Sequence, residues 1–195
     1  MTQFKEAFIV LAEGSDPADR TYRETALSRT ALVPVPDAET AAAVAAELHD
    51  DGLDLIELYG GFGPKAAAAV LAATGGQVPV GVVGVEEDSP VRERAVIFAA
   101  AGADPAQDRY VFEHAGGRIT IVAVPAAEAV PAAAEQLVRE GVERLQICGG
   151  LGAGPAAAAI EAVGDRADVG AVMFGFESLP GAASYRARFE EAVAA

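Results

Sequence analysis

The sequence contains a single cysteine, Cys148, and no tryptophan. One cysteine excludes an internal disulfide and fits a reducing compartment. No apolar run reaches membrane-spanning length. The opening "MTQFKEAFIVLAEG" holds an apolar run that is too short, and interrupted too early by Glu13, for a signal peptide, so the expected location is cytoplasmic. Basic residues are scarce: 14 Lys and Arg stand against 29 Asp and Glu, a formal charge of −15. That balance argues against nucleic acid or an anionic membrane surface as partner, although an acidic surface also serves solubility alone. Aromatic residues are few, but a 52% hydrophobic content excludes a disordered chain. A length of 195 residues allows one large domain or two small ones, each with a real core.

What the chain has in abundance is self-similarity. Displaced by 89 positions, Pro36 falls on Pro125, Leu48 on Leu137 and Gly52 on Gly141. Gly60, Gly61 and Gly63 fall on Gly149, Gly150 and Gly152. Asp19, Arg20 and Glu24 fall on Asp108, Arg109 and Glu113; upstream of these the offset is 88, because Gln107 is an extra residue. Matching glycines and prolines mark special backbone positions that an alanine-rich composition does not explain. The period is too long for a solenoid, so the chain reads as a duplicated half-domain, residues 1–88 and 89–195, the second with an extra C-terminal helix.

Each half has the same grammar. A buried strand ("AFIVLA", "AVIFAA") precedes "DPADR" or "DPAQDR", where Asp16 or Asp104 can cap a helical turn with proline at its start. The next segment reads as a short helix and strand or as a hairpin, with Gly-Gly at 116–117 favouring the hairpin. A helix follows over Asp37–Asp50 and Ala126–Glu140, stopped by Gly52 and Gly141. Then come a strand, a glycine turn, an alanine-rich helix and a further strand; "SYRARFEEAVAA" closes the chain as an amphipathic helix, cut down in the first half to "SPVRER". Strands alternating with helices imply an α/β fold with mostly parallel strands. Two Rossmann-like lobes forming a pseudo-dimer fit this pattern, as does a small (βα)8-like barrel made of two half-barrels. The short link from Val85 to Ala95 hardly admits a crossover helix and favours the lobes.

The candidate site lies at the two glycine turns, "GGFGPK" and "GGLGAGP". A strand-to-helix turn points unpartnered amides and a helix N-terminus at one place, so Gly60, Gly61, Gly63, Gly149, Gly150 and Gly152 could receive an anion. Neither turn ends in the Gly-Lys-Ser/Thr of a P-loop, and Gly61-Phe62-Gly63 is only half a dinucleotide fingerprint. Pro64 and Pro155 suit a first helical turn but remove an amide, and a purely structural tight turn is the alternative reading. By strand alternation Leu55, Glu57 and Tyr59 share one face, and Arg144, Gln146 and Cys148 are their counterparts. A carboxylate in a buried strand is costly unless it is paired or functional. Glu57 therefore reads as a general acid/base, with Tyr59 or Arg144 orienting, or as one half of an ion pair such as Glu57–Arg144. Cys148 stands where a nucleophile would be placed but has no histidine near it in sequence; packing is the alternative.

Arg20 and Arg109 recur with Glu24 and Glu113. In a helix each pair is an i,i+4 salt bridge; in an extended segment both residues could face a ligand. His49 reads as a helix C-terminal cap, and His114 as a residue that could line the site. Glu13, Glu86, Glu87 and Glu177 lie just past strand ends, yet their spacing is not that of a metal ligand set, so no metal is expected and no cofactor is assigned.

The string "LIELYGGFGP", with "DPADR" upstream and the helix that stops at Gly52, resembles an uncharacterised bacterial α/β family that carries an E-L-C-G-G-F-G-P signature. Some members of that family resemble a single half of this chain. The resemblance spans Phe8–Glu87 and Val96–Glu177 and implies no activity, substrate or catalytic residue. Tyr59 stands where that signature has cysteine, while Cys148 keeps it; Gln146 and "LGAGP" depart from it in the second half. A site that used both glutamate and cysteine would be split between the halves or lost. Two functional readings follow. One is a small-molecule enzyme of lyase or isomerase type acting on an anionic metabolite. The other is a non-catalytic ligand-binding or regulatory module with structural turns, and self-association is compatible with either.

Overall fold

The computed structural model describes residues 3–83 and 91–194. The first repeat opens with strand β1 (Phe4–Leu11). Asp16 then caps a single 3-10 turn, its Oδ1 accepting from the Ala18 amide at 2.8 Å. The ambiguous segment is a hairpin: β2 (Thr21–Glu24) pairs antiparallel with β3 (Ser28–Val35). Along β2 half-buried and exposed residues alternate, a period of two that a helix cannot serve. Helix α1 (Ala38–Asp50) starts where Asp37 Oδ1 accepts from the Thr40 amide at 2.7 Å. It stops at Gly52, whose φ of +86° lets its amide reach back to the His49 carbonyl at 2.9 Å. β4 (Leu55–Tyr59), α2 (Pro64–Ala73) and β5 (Val80–Val82) complete the repeat.

The second repeat follows the same order: β6 (Glu93–Ala99), β7 (Arg109–His114), β8 (Gly117–Val124), α3 (Val130–Arg139), β9 (Arg144–Ile147), α4 (Ala153–Val163) and β10 (Asp168–Ala171). Here the helix expected over Ala126–Glu140 is divided. Ala126 has no side chain to cap with, residues Ala127–Ala129 form a 3-10 turn, and proline near the start of α3 re-initiates the α-helix at Val130. The last expected strand also divides. After β10 the chain continues as β11 (Met173–Phe174), which pairs antiparallel with β5, and then as α5 (Leu179–Ala194).

Among the described residues the strands form two open sheets, ordered β11-β5-β4-β1-β3-β2 and β10-β9-β6-β8-β7. This excludes the closed barrel. The antiparallel strands β2 and β7 end each sheet on one side, where a barrel needs another parallel strand. Val85, Glu86, Glu87 and the start of "SPVRER" lie outside the described residues. The chain divides into two compact units, Met1–Glu87 with Met173–Ala195, and Asp88–Val172. The C-terminal helix that the sequence attaches to the second repeat thus packs within the first unit.

In each unit the helices cover one face of the sheet. Ile9, Val33, Ile56 and Leu58 pack beneath Val44 and Leu48 of α1 and Val70 of α2. Ile97, Val122, Leu145 and Ile147 pack beneath Leu137 of α3 and Ala159 of α4. The alternate residues of β1 and β4 form the other face of the first sheet, in the register Glu6–Leu55, Phe8–Glu57 and Val10–Tyr59.

Candidate functional site

The carboxyl ends of β1 and β4 meet at the first glycine turn. Gly60, with φ +91°, lies so close to the end of β1 that an added Cβ would stand 2.8 Å from the Leu11 carbonyl oxygen. Gly60 is therefore glycine because two backbones touch there, whatever else the turn does. Gly61 also has positive φ, +102°. Phe62 turns down into the helix-covered core. Gly63 is the N-cap of α2, in extended conformation and with no side-chain cap, and Pro64 occupies the first turn. The α2 ladder begins with the Ala67 amide on the Gly63 carbonyl at 3.2 Å. The amides of Lys65 and Ala66 precede that bond and so have no acceptor within the helix. The Lys65 side chain is exposed.

The second turn uses matching glycines to make a different backbone. Its N-cap Gly152 has φ +77°, where Gly63 has −91°. Gly150 is exposed and lies outside the positive-φ region, and a Cβ there would meet only Cys148 Sγ at 3.9 Å. α4 begins at Ala153 with Pro155 third in the helix. The duplication thus preserved the glycines but not the geometry.

Below the first turn, Tyr59 donates its phenol proton to Glu57 Oε2. Glu57 is 1% exposed and Tyr59 0%, and the Tyr59 ring meets Phe8 at 5.3 Å in an edge-on contact. The second repeat keeps the burial and loses the acid: Gln146 and Cys148 occupy these positions, and both are buried. Cys148, the chain's one cysteine, lies buried just past the end of β9, with its amide on the Ile97 carbonyl at 3.0 Å.

The recurrent arginines are held by helices. Arg20 makes a two-pronged contact with Glu47 of α1, at 2.8 and 3.1 Å. Arg109 makes the same contact with Glu140, next to the end of α3. Each arginine holds its carboxylate partner below the usual acid range. The helical i,i+4 reading is corrected: Glu24 belongs to β2 and pairs instead with Arg29 at 3.1 Å. Because the Glu47 side chain is largely exposed, Arg20→Gln is expected to cost less than about 1 kcal/mol in urea denaturation. Arg144 pairs with Asp168 on the neighbouring strand at 3.2 Å. His49 lies half-buried in the last turn of α1. His114 Nδ1 accepts from the Gly116 amide in the β7–β8 turn at 3.1 Å. Glu13 and Glu177 are exposed, and among the described residues no group of three or more His, Cys, Asp or Glu is placed to hold a metal.

One acidic residue escaped the sequence reading. Glu6 of β1 shares its face with Phe8, accepts from Thr30 Oγ1 at 2.6 Å and also accepts from the Tyr185 phenol. Burial pushes its carboxyl above the usual range. Alternation with Phe4, Phe8 and Val10 is the signal that marks it, whereas Tyr185 is 179 positions away and leaves no local trace.

A family model described as "Family of unknown function (DUF6506)" matches the chain twice, over residues 4–96 and 92–187. The chain belongs to that family. It carries two tandem DUF6506 copies, in agreement with the duplication read from glycines and prolines. No curated protein matches it. Among solved structures, an NtrC family transcriptional regulator from Clostridium acetobutylicum is 14% identical, covering 97% of this chain and 98% of that one, with a TM-score of 0.33. An ABC domain from Streptococcus pneumonia in complex with L-Trp is 12% identical, covering 85% of this chain and 70% of that one, with a TM-score of 0.31. A carbohydrate transporter from Acidothermus cellulolyticus 11B in complex with myo-inositol is 13% identical, covering 85% and 71%, with a TM-score of 0.27. No functional conclusion follows from likeness at that level. No helix among the described residues is long and apolar enough to cross a membrane.

Proposed function

We propose that this tandem DUF6506 protein binds a small anionic metabolite at the carboxyl edge of its first sheet. In this reading the ligand's phosphate or carboxylate sits on the first amides of α2. The observation that carries the reading is the start of that helix. Its N-cap is a glycine with no side-chain cap, its first position is proline, and the amides of Lys65 and Ala66 precede the helical ladder. The exposed Lys65 adds a positive charge to a chain of net charge −15. Gly61, half-buried, carries no side chain to block approach, and the second turn, with its different backbone, is not assigned the same ligand.

The test is a thermal-shift panel of phosphorylated, carboxylated and neutral metabolites. A ligand that binds only the native state adds about 2.7 kcal/mol at a hundredfold excess over its Kd. The discriminating variant is Lys65→Glu, which sets a carboxylate beside the same amides at an exposed position. The unliganded variant is expected to keep its stability or gain about 0.3–1 kcal/mol from the helix dipole, while its shift with the anion collapses. An undiminished anion shift in Lys65→Glu, or an equal shift with neutral compounds, contradicts the reading.

The Glu57–Tyr59 pair favours a second reading, in which the bound metabolite is also turned over and Glu57 moves a proton. The near-zero exposure of both side chains weighs toward binding alone. Glu57→Gln separates the two: a catalyst loses rate and keeps affinity, whereas a binder has no rate to lose.

A further inference from the structure

The face of the first sheet that bears Glu6 is covered at one end by α5, and that cover is thinly attached. No described residue of α5 is buried. Its start is fixed by Ser178, whose Oγ accepts from the Val80 amide at 3.0 Å, and by Gly181, where an added Cβ would stand 3.1 Å from Pro79. From Tyr185 onward the attachment is of another kind. Tyr185 and Phe189 set their rings against Phe4, at 5.4 and 5.3 Å. Arg188 reaches Asp54 Oδ1 at 2.9 Å on the exposed rim. The Tyr185 phenol donates to Glu6. We propose that the outer part of α5, from Tyr185 to Ala194, is a detachable cover whose docking weakens as pH rises, because seating Tyr185 over Glu6 desolvates a carboxyl group that water would otherwise stabilise as the anion.

The charges around Glu6 act in the same sense. Burial first, then the negative charge of Glu6, and after them the charges of Glu57 and Asp54, raise the Tyr185 phenol above its ordinary range. Asp54 also raises Glu6. Thr30 contributes a neutral hydroxyl donor. On α5, Arg188 is turned to Asp54 and Arg186 to Glu190, and the Lys5 ammonium is turned to the Asp51 carbonyl. The sign is then fixed. With α5 docked, the Glu6 carboxyl titrates above its ordinary value; undocked and hydrated, it titrates nearer to it. Docking is at full strength below the undocked value and is lost progressively as pH rises through the docked one. Few buried contacts and a solvent-exposed backbone are what locally opening elements share. This device is independent of any ligand at the glycine turn.

The experiment is amide hydrogen exchange on the full chain between pH 4.5 and 8, with protection factors corrected for intrinsic exchange. Protection of the Tyr185–Ala194 amides is expected to fall about tenfold for each pH unit by which docking raises Glu6, while β1 and β3 amides stay protected. In Glu6→Gln, which keeps the shape, an accepting oxygen for one of the Tyr185 and Thr30 hydroxyls and an amide that can donate to the other, the same amides should show flat protection. Tyr185→Phe keeps the ring packing but removes the donor that eases Glu6 ionisation, so its fall with pH should be larger than in the wild type. Flat protection in the wild type overturns the proposal. So does an unchanged fall in Glu6→Gln, and if that variant does not fold, a fall in Tyr185→Phe no larger than the wild type's overturns it instead.

Discussion

Deletion of residues 173–195 is expected to destabilise the first unit while leaving the second unit's unfolding in place. The segment closes the second repeat in sequence, the second family match running to residue 187, yet it clusters with the first unit. β11 pairs with β5, the Ser178 hydroxyl accepts from the Val80 amide, and Tyr185 and Phe189 cover Phe4. Loss of two half-buried aromatic side chains removes about 3 kcal/mol at roughly 1.5 kcal/mol each. The Val80 amide, in the buried part of β5, then loses its acceptor at a cost of about 1–3 kcal/mol more. Together these approach the total stability of a small domain, which is about 5–15 kcal/mol. Residue-resolved hydrogen exchange checks the outcome: β1, β3 and β4 should lose protection while β6, β8 and β9 keep theirs. Uniform loss in both units, or no loss in either, contradicts this assignment of the C-terminal segment.

The second large effect is expected at Gly60. Gly60→Ala places a methyl group 2.8 Å from the Leu11 carbonyl oxygen and 3.1 Å from the Leu11 nitrogen, and both are backbone atoms of the central strand. The variant must also hold φ near +91° with a side chain. Left-handed strain of about 1–2 kcal/mol and overpacking of about 1–3 kcal/mol give an expected loss of roughly 2–5 kcal/mol. Gly150→Ala provides the contrast. Its nearest neighbour would be Cys148 Sγ at an ordinary 3.9 Å, so a change within about 0.5 kcal/mol is expected. Urea denaturation of the two variants side by side checks both. Equal effects would contradict the close backbone approach at Gly60 that sets it apart from the open position of Gly150.

The duplication was fully legible, because glycines and prolines at matched positions record backbone geometry directly. So were β1, β4 and α1, the strands announced by their apolar runs and the helix by its stop at Gly52. The hairpin at β2 was ambiguous because "TYRET" alternates and also spaces its charges by a helical turn; pairing with β3 decided it. The partners of Arg20 and Arg109 were misread for a similar reason. Local spacing offered Glu24 and Glu113, whereas the fold brings up Glu47 and Glu140 from helices distant in sequence. The place of α5 was not legible at all. A weakly amphipathic helix states that it has an inner stripe, not which sheet that stripe meets. Glu57 was found by the cost of a carboxylate in an apolar strand, and the same reasoning applied to "FKEAFIVL" finds Glu6.

The central claim is that the first turn of α2 receives an anion. The most direct measurement is a nitrogen–proton correlation NMR titration of the labelled chain with the best anion from the thermal-shift panel. The Lys65 and Ala66 amides are expected to move first and saturate with the ligand, the Ala153 and Gly154 amides of the second repeat not to follow them, and Lys65→Glu to abolish the movement. Silent Lys65 and Ala66 amides during a titration that shifts other parts of the chain would contradict it.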